Sequence, residues 1–110
     1  MDAELVPTLA ETTRKRVRAK REALIREAAK REKEETRWIV KDAIERIELY
    51  VDMLRIRDEW DYIYVPVIDF SVAAIDAAIS ILQQPPYAFS VSKEFDSLDR
   101  ISDLCISWEA

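Results

Sequence analysis

The chain has 110 residues, which allows one small domain with an appendage. It has no histidine, which is the commonest general base and metal ligand. It also has no glycine, which excludes the glycine-dependent phosphate-binding loops. The net charge of −5 conceals an asymmetry. Residues 14–33 hold ten Lys/Arg and three Glu, a net +7, whereas residues 58–110 hold ten Asp/Glu and two Lys/Arg, a net −8. We therefore expect a basic segment joined to an acidic body.

A long helix is predicted from Thr8 to Arg57, because this stretch contains neither proline nor glycine and is rich in good helix formers. Thr8 and Glu11 have the spacing of a capping box, in which each side chain bonds the backbone N–H of the other residue. The predicted helix is much longer than the usual three to four turns, so we expect it to serve a special purpose.

Residues 1–36, which include the first part of this helix, are predicted to be a charged helical arm. Opposite charges recur four residues apart, as at Arg18 and Glu22, and such pairs support an exposed helix. Six cations within eight residues form a basic block that suits phosphate groups or an acidic protein surface; they are Arg14, Lys15, Arg16, Arg18, Lys20 and Arg21. The block has no aromatic residue and the chain has no asparagine, so nucleic-acid binding would be non-specific.

The second part opens a small body predicted over residues 37–110. Apolar side chains recur there at steps of three and four, which is typical of a helix that faces a core. A zipper is rejected because the stripe is wide and spans fewer than three heptads, but dimerisation stays open. Together with the tryptophans, the stripe supplies the predicted core or interface residues: Trp38, Val40, Ile44, Ile47, Val51, Leu54, Trp60 and Trp108.

A strand is predicted between Tyr62 and Phe70, where the residues are β-branched or aromatic at both parities, as in a buried strand. Pro66 restricts it to an edge, a bulge or two short pieces. A second helix follows, with Ser71 as its N-cap and an end before Pro85 and Pro86. It is apolar nearly all round, so we expect it to be covered on several sides, with its alanines allowing close packing at Ala73, Ala74, Ala77 and Ala78.

The last segment predicts either a hairpin or a strand and a short helix. Apolar residues alternate around Phe89 and again around Ile106, which favours two strands with Asp96 or Asp99 in the turn. A helix capped by Ser97 is the rival interpretation. The predicted class is α+β, with a long N-terminal helix, charged and then amphipathic, followed by a small β-α-β-β body.

The C-terminal pattern carries one resemblance. This segment of the chain resembles the helix-plus-hairpin end of small proteins from large DNA viruses. The resemblance rests on a helix followed by Tyr87-x-Phe89-x-Val91 and then by Leu104-x-Ile106-Ser107-Trp108. The resemblance covers about the last third of the chain, and Pro85-Pro86 stands where those proteins usually have a glycine. It implies a viral or virion-associated protein and assigns no functional residue.

The function expected from these patterns is a non-enzymatic structural or interaction protein that binds a protein partner or itself. The alternative is a nucleic-acid-binding accessory protein that uses the basic block. No cofactor, metal, small molecule or membrane is expected as a ligand. Cys105 is the single cysteine, and the N-terminus lacks the apolar core of a signal peptide. We therefore expect a cytoplasmic, nuclear or virion location rather than secretion.

Overall fold

A computed structural model describes residues 8–55 and 59–109, which form two helices and three strands. The α+β class, the long N-terminal helix and the second helix are confirmed. The chain divides into two compact units, Met1–Arg31 and Glu32–Ala110. The predicted division between residues 36 and 37 stays a prediction. In chain order the elements are α1 (Leu9–Met53), β1 (Tyr62–Pro66), α2 (Val72–Gln83), β2 (Ser90–Phe95) and β3 (Ile101–Ser107).

The helix α1 begins with the predicted capping box. The Glu11 backbone N–H donates to Thr8 Oγ1 at 3.1 Å, and the Thr8 N–H lies 3.4 Å from Glu11 Oε2. The helix ends at Met53, because Leu54 and Arg55 are no longer helical. The predicted end at Arg57 is therefore too far along the chain, and Arg57 itself lies outside the described residues.

The sheet is antiparallel and has the order β1-β3-β2, so β1 is an edge strand, which is one of the three arrangements that Pro66 allows. Its register pairs Ile63 with Ile106 and Val65 with Leu104. Side chains alternate across a strand, so these four lie on one face of the sheet. Val65, Leu104 and Ile106 are fully buried there, which makes this face the core face.

The hairpin of β2 and β3 is confirmed, and the rival short helix is not formed. Asp96 holds its turn because its Oδ1 accepts from the N–H groups of Leu98 at 2.8 Å and Arg100 at 3.0 Å. Asp99 adopts the left-handed region with φ 58°, a position that often needs glycine. Aspartate therefore supplies the turn chemistry in a chain without glycine.

The helix α2 is capped as predicted. Ser71 Oγ accepts from the Ala74 N–H at 3.2 Å, and Gln84 before Pro85 is extended at φ −99° and ψ 156°. The expectation that α2 is covered on several sides is wrong, because Val72 and Ile81 are exposed. Among the described residues of the second unit, the sheet and α1 are the elements that cover it, so it buries one face: Ala74, Ile75, Ala78 and Leu82.

The core forms where α1, α2 and the sheet meet, with Ile39 and Ala43 as the fully buried residues of α1. Thr36 lies at its edge and is 8% exposed. Its hydroxyl donates to Glu32 O at 2.7 Å and lies 3.4 Å from Ala74 O of α2. In addition, Glu35 Oε2 accepts from the Ser71 N–H at 3.0 Å. These bonds fix α1 against the N-terminus of α2.

Candidate interaction surfaces

The basic block lies on the exposed part of α1 in the first unit. All six of its cations are exposed, and no carboxylate of the described residues forms an ion pair with any of them. The pairing expected between Arg18 and Glu22 is thus not formed. The ion pairs within α1 are Arg46 with Asp42 and Lys41 with Glu45, both in the second unit. The block therefore presents six cations whose charge is not neutralised by a contact within the described chain.

An aromatic cleft of about 570 Å³ lies in the second unit, between the end of α1 and β1. Three elements build it: the last two turns of α1, the segment that approaches β1, and β1 itself. Its lining is mainly apolar and includes one arginine from each of the first two elements. The lining residues are Arg46, Leu49, Tyr50, Met53, Arg55, Trp60, Tyr62, Ile63 and Tyr64.

Three aromatic rings form a continuous row along the cleft. The rings of Trp60 and Tyr62 are stacked with centroids 6.2 Å apart, and those of Tyr62 and Tyr64 meet edge to face at 5.5 Å. Tyr62 and Tyr64 share a face because they are two residues apart in β1. That face lies opposite Ile63 and Val65, and therefore opposite the core. The row is thus a product of strand alternation.

Tyr50 fixes the position of the row relative to α1. Its hydroxyl donates to Trp60 O at 2.7 Å, and its ring packs against Trp108 at a centroid distance of 5.3 Å. The Trp108 N–H in turn donates to Asp61 O at 3.2 Å. The end of α1, the start of β1 and the end of β3 are therefore tied together at one end of the cleft.

The pKa of Tyr64 is raised, and its phenol is protonated at neutral pH as any ordinary tyrosine phenol is. Partial desolvation is the largest cause of the raised pKa, and Cys105, Tyr62, Glu94 and Asp103 add smaller contributions. The protonated phenol can donate a hydrogen bond.

Arg46 is held at the side of the cleft by Asp42, whose two carboxylate oxygens lie 3.1 Å from Arg46 Nε. Asp42 therefore compensates the Arg46 cation, and most of the lining surface of the cleft is apolar.

The predicted core or interface residues differ in how far their side chains are exposed. Val40, Ile44 and Ile47 are partly buried against the core. Val51 is 60% exposed and Leu54 is 52% exposed, so this end of the stripe does not face the core, and its assignment as core or interface stays a prediction. The reason is that the sheet and α2 cover α1 around Ile39 and Ala43 and do not extend to its last turn. Trp108 is half-exposed and packs on Tyr50, whereas Trp38 and Trp60 are largely exposed.

A smaller cleft of about 370 Å³ uses some of the same helix. Val40 and Ile44 line it from α1, Ile81 lines it from the end of α2, and Tyr87 lines it from the turn that follows α2. It contains no part of the aromatic row. Val40 and Ile44 belong to the predicted stripe, whereas the exposure of Ile81 was not predicted and follows from the one-sided burial of α2.

Groups suited to a metal ion are not found: no three Cys, Asp or Glu side chains lie close enough together among residues 8–55 and 59–109. Cys105 is a half-buried free cysteine of β3. Neither helix that the structure describes combines the length and the apolar character of a membrane-crossing helix.

The fold and its surfaces thus define a small α+β body that continues from a basic helical segment, with an aromatic cleft at one edge of its sheet. No protein-family model, curated protein or solved structure matches the chain.

Proposed function

We propose that this chain is a non-enzymatic interaction protein that binds a protein partner, or a second copy of itself, through the aromatic cleft. The observation that supports the proposal is the exposure of large apolar side chains around one cleft: Leu49 is 58% exposed, Met53 66% and Trp60 67%. Exposed apolar residues that are contiguous, rather than scattered, mark interaction sites in soluble proteins. Tryptophan and tyrosine are also the residue types that most often dominate binding energy.

The test combines self-association with peptide selection. Light scattering coupled to size exclusion measures the mass of the full chain, and a displayed library of random peptides reports any extended segment that the cleft accepts. We expect self-association, or a peptide consensus, that is lost in Trp60→Ala. Val72→Ala is the matched control, because Val72 is 61% exposed but lies on α2, outside the cleft. A monomer that selects no peptide in a Trp60-dependent way would contradict the proposal.

Nucleic-acid binding through the basic block is the second candidate function. It is supported by the six exposed cations that lack a described carboxylate partner. If all six neutralise phosphates, log K should fall against log salt with a slope of about −5. Arg16→Gln with Lys20→Gln should reduce that slope by about 2. Arg37→Gln with Lys41→Gln removes the same charge outside the block and should leave the slope unchanged. Binding that is independent of salt would exclude this candidate.

The finer parts of the proposal concern origin and location. A viral protein, with a virion, cytoplasmic or nuclear location, is supported by the resemblance of the C-terminal segment. Mass spectrometry of purified virions, or imaging of the tagged chain in cells, tests that assignment. Detection in a secreted fraction alone would contradict it.

A further inference from the structure

The free edge of β1 has a defined pattern of hydrogen-bonding groups. The Trp108 N–H donates to Asp61 O, and the Val67 N–H donates to Ser102 O. In an antiparallel ladder, residues that exchange bonds with the neighbouring strand recur every second position. Odd-numbered residues from Asp61 to Val67 therefore direct their backbone groups to β3. The even-numbered residues Tyr62, Tyr64 and Pro66 direct theirs away from the sheet.

Pro66 occupies an outward position, where its missing N–H removes no bond to β3. The free edge consequently offers two N–H donors, from Tyr62 and Tyr64, and three C=O acceptors. No hydrogen bond within the described chain uses these outward groups. This is a template for another strand.

The two edges of the sheet differ in how they are protected against pairing. The edge strand β2 contains Lys93 and Glu94, and its register is irregular between Glu94 and Phe95. Charged residues and bulges are the usual protections of an edge strand. The strand β1, from Tyr62 to Pro66, has no charged residue and no irregularity in its register. Proline is a further edge protection, but at position 66 it removes one outward donor only.

We propose that β1 pairs with β1 of a second copy of this chain, antiparallel about a two-fold axis at Tyr64. This inference rests on the proposed function and names its partner. The Tyr64 N–H donates to the C=O of the partner's Tyr64, and the Tyr62 N–H donates to the C=O of the partner's Pro66. With the reciprocal bonds there are four, and every outward N–H is satisfied. Pro66, which has no N–H, lies opposite Tyr62, so its missing donor is accommodated in this register.

The side chains agree with the same register. Each tyrosine row meets its symmetry mate through Tyr64, and Ile63 lies opposite the partner's Val65 on the core face. Aromatic and β-branched cross-strand pairs of this kind stabilise sheets.

The surface available at the edge fits a dimer. The exposed parts of Leu49, Met53, Trp60, Tyr62 and Tyr64 supply roughly 500 Å² per copy, taking about 200 Å² for a whole aromatic side chain. A stable interface needs about 800 Å² per partner. These five residues thus supply more than half of that area, and the edge backbone and neighbouring side chains add to it. We expect a dimer of moderate affinity, with a dissociation constant in the range of about 1–100 μM.

Hydrogen exchange of the full chain tests the pairing directly. We expect the Tyr62 and Tyr64 amides to exchange more slowly as protein concentration rises through the dimerisation range. The amides of Ile63 and Val65 already face β3, so their protection should not depend on concentration. This alternation distinguishes edge pairing from any dimer that uses another surface.

The second test introduces charged side chains of either sign at Tyr64, on the two-fold axis. Tyr64→Lys and Tyr64→Glu each place like charges opposite one another and should weaken dimerisation by about tenfold or more. An equal mixture of the two variants should restore the dimer. Ser92→Lys is the matched control, because Ser92 lies on the same outer face but on β2, and it should dimerise normally. Circular dichroism checks that each variant is folded, and the hydrogen-exchange result stands without any variant.

The outcomes separate this inference from the proposed function. A dimer that is insensitive to both Tyr64 variants, or amides without concentration dependence, overturns the pairing. A wild-type monomer up to about 500 μM overturns it as well. If such a monomer still selects peptides through Trp60, the interaction function stands with an extended segment of another protein as its partner. If it selects none, both proposals fail.

Discussion

Replacing one alanine of α2 by leucine tests how α2 packs on the body. Ala78 is fully buried in the core that α1, α2 and the sheet share, so Ala78→Leu adds three carbon atoms where the neighbours leave no room. Overpacking of this kind costs roughly 1–3 kcal/mol. Alanine and leucine are both good helix formers, so the change in helix propensity adds little. For a domain of this size the thermal midpoint should fall by roughly 5–20 °C.

Ala73→Leu is the matched control, because Ala73 is an exposed residue of the same helix. It should change the stability by less than about 0.5 kcal/mol. Ala77 is partly buried, so Ala77→Leu should fall between the other two variants. Thermal unfolding followed by circular dichroism ranks the three. Equal midpoints for the variants at positions 73 and 78 would refute the one-sided packing of α2.

Three further outcomes are expected. A chain that begins at Glu32 should fold with a cooperative thermal transition, because the residues of the core cluster all follow Glu32 in the sequence. Its net charge becomes −9, since residues 1–31 carry nine cations and five anions. Loss of that transition would mean that the first unit is needed for folding. Ser71→Ala removes an N-cap and should cost roughly 1 kcal/mol in urea unfolding, whereas Ser90→Ala should cost little. Hydrogen bonds from the turn hold the pKa of Asp96 below its ordinary value of 3.8, so its carboxylate stabilises the fold above pH 3.8. Asp96→Asn should therefore lower the stability at neutral pH, and the difference from the unmodified chain should vanish as pH falls through the lowered pKa.

Local chemistry in the sequence predicted the helices and the hairpin. Thr8 and Glu11 mark the start of α1, and Ser71 marks the start of α2, because capping depends on residues within one turn. The end of α2 before Pro85 follows from backbone sterics alone. Asp96 identifies the hairpin turn, because an aspartate side chain can bond the backbone of residues that closely follow it. Each of these features is decided by neighbours in the chain.

The aromatic cleft could not be predicted, because it depends on which strand lies at the edge and which face α1 covers. The interpretation of β1 as a buried strand is wrong: Tyr62 and Tyr64 are 36% and 49% exposed. The sequence did contain one signal. Phenols occupy the even positions of β1, whereas the purely aliphatic Ile63 and Val65 occupy the odd positions between them.

The stripe on α1 illustrates a second limit. Its spacing continues through Val51 and Leu54, but burial stops earlier because the small sheet covers only part of the helix. Hydrophobic periodicity gives the direction of a helical face and not the length that a partner covers. Val51 and Leu54 are the exposed end of the stripe, whereas the cleft is lined by Leu49 and Met53, which are not part of the stripe.

The position of β3 at the centre of the sheet has a consequence for the order of folding. Five residues separate β2 from β3, whereas 34 residues separate β1 from β3. Closing the longer loop costs about 1–2 kcal/mol more in chain entropy. The hairpin can therefore form first, and β1 joins last, after α2 has brought the chain back. In pulse-labelled hydrogen exchange, amides shared by β2 and β3 should gain protection before Ile63 and Val65. Until that last step the uncharged, aromatic segment of β1 has both edges open, so we expect aggregation to compete with the final docking of β1.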